Sequence, residues 1–70
     1  MSSDDARTLA ELDDAEALLL NTDLKAKRRL VSGEMTRAGY DELRHHIDGA
    51  RANLQAVRDL LAARARGRSN

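Results

Sequence analysis

Cysteine, proline, tryptophan and phenylalanine are all absent from the 70 residues, and Tyr40 is the only aromatic. Without cysteine there are no disulfide staples, no thiol nucleophile and no zinc site built on thiolates. The lack of proline, together with 34% charged residues, favours long helices over a sheet, whose turns call for more breakers. With almost no bulky aromatic to fill a core, a lone chain of this size supplies only ~3–5 kcal/mol of stability. An excess of one charge is missing too. The 12 Lys and Arg balance 12 Asp and Glu, which argues against general electrostatic capture of nucleic acid or an anionic membrane. No apolar run exceeds Leu18, Leu19 and Leu20, and the start is acidic. That pattern is neither a signal peptide nor a spanning helix, so a cytoplasmic location without a membrane partner is expected. No enzyme signature is present, and neither a cofactor nor a small-molecule substrate is expected.

What the chain does contain is helical periodicity, in a single domain. From about residue 3 to 31 there is neither Gly nor Pro. Leu9, Leu12, Ala15, Leu19, Ala26 and Leu30 fall on one helical stripe, and Leu20, Leu24 and Val31 on a second about a quarter turn away. Asn21, Thr22 and Asp23 prefer caps and turns to helix interiors, so the segment is either one long helix or two joined near residue 22, one being favoured. Residues 32–35 read as a connector in which Gly33 supplies a positive φ. Thr36 then caps a second helix, expected from about 36 to 65, with residues 66–70 a frayed tail. Tyr40, Leu43, Ile47, Ala50, Leu54, Val57 and Leu61 alternate spacings of three and four along it. A four-residue connector makes the two helices antiparallel neighbours. The expected fold class is all-α: a helical hairpin that completes a bundle by self-association.

Charge placement points the same way. Residues 1–23 carry seven acids and one base, net −6, and residues 24–70 carry five acids and eleven bases, net +6. An antiparallel pairing sets the acidic first helix beside Arg51, Arg58 and Arg64. It sets Lys25, Lys27, Arg28 and Arg29 beside Asp41, Glu42 and Asp48. Exposed pairs are worth tenths of a kcal/mol each, so the pattern selects orientation more than it supplies stability.

Few residues invite a chemical role. Arg37, Arg44, Arg51 and Arg58 recur every seven residues and flank the apolar row. They either cover it with their methylene stems while pairing with acids, or grip nucleic-acid phosphates or an acidic partner. Asp41, Asp48 and Asp59 partly neutralise the row, and no aromatics are interleaved for base stacking. His45 and His46 diverge by about 100° on a helix and so do not share one ion. Asp41 with His45, or Glu42 with His46, could hold two ligands of a zinc site, but a third and fourth would need another helix. No metal site is expected. The acids Asp13, Asp14 and Glu16 lack any surrounding pocket and read as a solvated face. Tyr40 reads as a plug over the turn.

Leu30, Gly33, Met35, Thr36, Tyr40 and Leu43 stand in an order that resembles the SHOCT (short C-terminal) domain, over about residues 24–47. The resemblance implies a small bi-helical association module. The stretch from Met35 to Arg44 also resembles the opening of the N-terminal coiled coil of Gre transcript-cleavage factors, which would imply RNA polymerase binding. In that family the motif opens the first helix, whereas here it opens the last, and of the acidic tip only Glu34 is present.

These readings converge on a non-enzymatic protein-interaction or oligomerisation module. Its expected apolar contact residues are Leu12, Leu19, Leu30, Tyr40, Leu43, Ile47, Leu54, Val57 and Leu61. An accessory factor of the transcription machinery or of nucleic acid, using the arginine row, is the alternative. A small structural subunit of a phage or other supramolecular assembly is a further one.

Overall fold

A computed structural model describes residues 2–68 and consists of two antiparallel helices, α1 (Ser3–Val31) and α2 (Arg37–Arg68). The fold is the all-α hairpin that the periodicity implies. It begins where Ser2, in extended conformation, accepts a hydrogen bond from the Asp5 amide at 3.1 Å on its side-chain oxygen. Asp4 and Asp5 lie in the first turn and Arg28 and Arg29 in the last, each sign complementing the helix dipole.

α1 runs unbroken through Asn21, Thr22 and Asp23, and two of these three side chains bond in ways that do not compete with the helix. The Thr22 hydroxyl donates back to the Leu18 carbonyl at 2.9 Å, and the Asp23 carboxylate is held by α2. The helix ends in a Schellman motif. Gly33, at φ +83°, donates to the Leu30 carbonyl at 3.2 Å, and the Glu34 amide donates to the Arg29 carbonyl at 2.8 Å. Two residues on, the Thr36 hydroxyl accepts from the Gly39 amide at 3.0 Å, capping α2 where the sequence places the cap.

α2 extends further than expected. It remains helical through Arg68, so residues 66–68 are not a frayed end, and residues 69–70 lie outside the described residues. The cause is local and tertiary together. Ala62, Ala63, Arg64, Ala65 and Arg66 are strong helix formers, and Leu61 is still buried and Ala65 half-buried on the inward face.

The contact between the helices is a single seam with two rows per helix. On α1 the inward positions are Asp5, Leu9, Leu12, Glu16, Leu19, Asp23, Ala26 and Leu30. On α2 they are Tyr40, Arg44, Ile47, Arg51, Leu54, Arg58, Leu61 and Ala65. Both sets alternate spacings of four and three, and every member is buried or half-buried. The apolar core is small: among the described residues, only Ala26, Tyr40, Ile47 and Leu61 are buried apolar side chains.

Candidate interaction surface

The inward face of α2 is rotated from the one its apolar spacing suggests. That spacing places Leu43, Ala50 and Val57 inward beside Tyr40, Ile47, Leu54 and Leu61, with the arginines to the side. In the structure Arg44, Arg51 and Arg58 form the second inward row, Leu43 and Ala50 are half-buried, and Val57 is 39% exposed. The physical reason lies on α1. Glu16 and Asp23 sit in its inward rows, and a carboxylate pressed against an apolar partner would lose hydration without compensation. Arginine supplies that compensation.

Two charge-assisted clusters result. In the first, the buried Asp23 carboxylate accepts from the Tyr40 hydroxyl at 2.7 Å and from Arg44 Nη1 at 3.3 Å, and Lys27 Nζ stands 3.1 Å away. Arg44 Nε also donates to Asp48 at 3.0 Å. The Tyr40 hydrogen bond, aided by Lys27 and Arg44, holds the Asp23 carboxyl below its ordinary range, and Arg44 is held more firmly protonated. In the second cluster, Arg58 donates to Glu16 at 2.6 Å and to Asp13 at 2.9 Å. That contact lowers the Glu16 pKa, chiefly through the hydrogen bond and then through the Arg58 charge, and Arg58 rises in turn. Arg51 adds a weaker attraction on Glu16.

The acidic first helix therefore meets the late arginines as the charge arithmetic implies, with Arg58 as the contact that forms. The basic patch behaves otherwise. Lys27 pairs with Asp23 and Arg29 with Glu34 at 3.8 Å, while Asp41 and Asp48 are taken by Arg37 and Arg44 on their own helix. Asp41, Glu42 and Asp48 are thus not the partners of Lys25 to Arg29. Those acids project from α2 away from the seam, and a neighbour one turn along the same helix is nearer. Arg37, Arg44 and Arg58 are all engaged in ion pairs, at 3.2 Å for Arg37 with Asp41.

Of the expected apolar contact residues, Tyr40, Ile47 and Leu61 are buried, and Leu12, Leu19, Leu30, Leu43 and Leu54 are half-buried inside the hairpin. Asp23 is the residue that sequence reasoning missed. It reads as a helix breaker, and the only available signal was its position, seven residues from Glu16 and Leu30 on the inward row. Among the described residues the large apolar side chains left outside are Leu18, Leu20, Leu24, Val31, Val57 and Leu60, and Val31 is 88% exposed.

His45 and His46 stand edge to face with ring centroids 5.8 Å apart, beside an open depression over Gly49 that Asp48, Ala50 and Asn53 also line. Among the described residues no three metal-ligating side chains converge. No described helix is long and apolar enough to cross a membrane. No family model, no curated protein and no solved structure matches the chain.

Proposed function

We propose that this protein is a small non-enzymatic helical module whose work is association, and that its first partner is a second copy of itself. One observation carries the reading. Among the described residues, six large apolar side chains are exposed while only four apolar residues are buried, one of them an alanine. Isolated surface leucines need no explanation. Here, though, Leu20, Leu24 and Val31 line up along a single helix flank, and a lone hairpin of this size is short of core. The local resemblance around Gly33 to Leu43 to a bi-helical association domain is in keeping with this. An arginine row that grips nucleic acid is less well supported, because three of its four members already hold carboxylates.

Light scattering on a size-exclusion column, at low and high protein concentration, tests the proposal. The expected mass is a multiple of 7.7 kDa that rises or holds with concentration. Leu24→Asp should reduce it to one chain with helicity retained, since Leu24 is 54% exposed and lies outside the inward rows. Ile47→Asp should unfold the hairpin itself. A wild-type chain that remains a monomer at every concentration would falsify self-association.

A further inference from the structure

The outward flank of α1 carries a second seam, and its pattern is complementary to itself when reversed. Ala10, Asp13, Ala17, Leu20, Leu24, Lys27 and Val31 follow one another at spacings of three and four, and all are exposed. Five of the seven are apolar. This is the spacing of a coiled-coil contact row, offset by one residue from the inward rows, and of its members Asp13 also reaches α2, through Arg58.

Charge along the same helix is sharply divided. Residues 3–16 carry six acids and one base, whereas residues 25–29 carry four bases and no acid. Among the described residues Glu11, Asp14, Lys25 and Arg28 make no ion pair within the hairpin. A parallel neighbour would place like charges together along this whole length. An antiparallel neighbour does the reverse, and one register satisfies both size and charge. With the twofold axis beside Leu20 and Asn21, Ala10 faces Val31 of the second copy and Ala17 faces its Leu24. Leu20 then lies beside its own counterpart. Small residues meet large ones, which is the condition for interdigitation. Asp13 and Asp14 lie across from Lys27 and Arg28 of the copy, at both ends of the contact.

The geometry points to an isologous dimer in which α1 packs antiparallel on α1 of a second copy, crossing at Leu20. This rests on the self-association reading above and specifies its surface. The other exposed flank, with Val57 and Leu60 on α2, is then free for further contacts.

Because the chain has no cysteine, single-cysteine variants and a short bifunctional maleimide report the interface directly. Leu20→Cys should cross-link to a dimer in high yield, and Val57→Cys at least several-fold less. Ala10→Cys mixed with Val31→Cys should give the mixed dimer in several-fold excess over either variant alone. Asp14→Arg should raise the dissociation constant several-fold, and Asp14→Arg with Arg28→Asp should recover it. Wild-type mass at one chain would remove the reading beneath this one. A stable dimer in which Val57→Cys cross-links and Leu20→Cys does not would leave self-association standing and overturn this interface. Ala10→Cys joining efficiently to itself, or no recovery in the double charge variant, would overturn the antiparallel register.

Discussion

At Gly33 the backbone turns through φ +83° so that two amides can reach back to the last carbonyls of α1. Any side chain there is strained, even though no neighbouring atom lies within 4 Å of where a methyl group would sit. Gly49 has the same open surroundings but ordinary helical backbone in the middle of α2. The same substitution should therefore have opposite signs. Gly33→Ala is expected to lower stability by about 1 kcal/mol, and Gly49→Ala to raise it by ~0.5–1 kcal/mol. Urea midpoints of the two variants against wild type check this, and equal shifts would contradict it. Gly33 and Thr36 were legible from sequence because each acts within a turn of its own position. Asp23 was not. Its partner hydroxyl is 17 residues away on the other helix, and in sequence it shows only a poor helix former.

The two helices are legible as elements, and in the hand-off between them so are the positive φ at Gly33 and the cap at Thr36. How far each is rotated about its own axis is not. Apolar spacing alone turns Val57 inward, and only the joint positions of Glu16 and Asp23 on α1 reveal why Arg44, Arg51 and Arg58 take the second row instead. Six of the sixteen inward positions are charged, and that has a consequence with pH. Glu16 and Asp23 both have carboxyls held below their ordinary values of 4.5 and 3.8. A group whose pKa is depressed on folding stabilises the fold above its unfolded value and loses that contribution as pH falls through the folded one. The urea midpoint should thus drop once pH falls below 4.5, and drop further below 3.8. Arg58→Gln, which removes the main cause of the Glu16 shift, should be less stable at neutral pH and show a shallower acid slope. An unchanged slope in that variant would mean the cross-helix pair does not couple to folding.

The whole molecule is a rod of 55 × 17 × 11 Å with a radius of gyration of 16.2 Å. A compact globule of this length would have a radius near ~11 Å. A rod two helices thick has no interior that is far from water, which is why its buried apolar set is so short. The charge division is preserved at this scale. Residues 24–47, at the turn end, carry six bases and three acids, net +3. The open end joins residues 1–23, net −6, to residues 48–70, which carry five bases and two acids, net +3, so it totals −3. Two such rods side by side attract when reversed and repel when parallel, and the attraction weakens with salt. The antiparallel α1 contact centred at Leu20 lies on the turn side of the rod's middle. Two hairpins joined there are displaced lengthwise by roughly 15 Å at 1.5 Å per residue, giving a particle about 70 Å long. Joining end to end would give about 110 Å, twice the 55 Å length of one rod. Small-angle scattering at the concentration where the mass has doubled should therefore find a maximum dimension close to the shorter figure. The longer one would show that the rods meet at their ends, where the opposite charges lie, and that the apolar flank of α1 is not the surface that holds them.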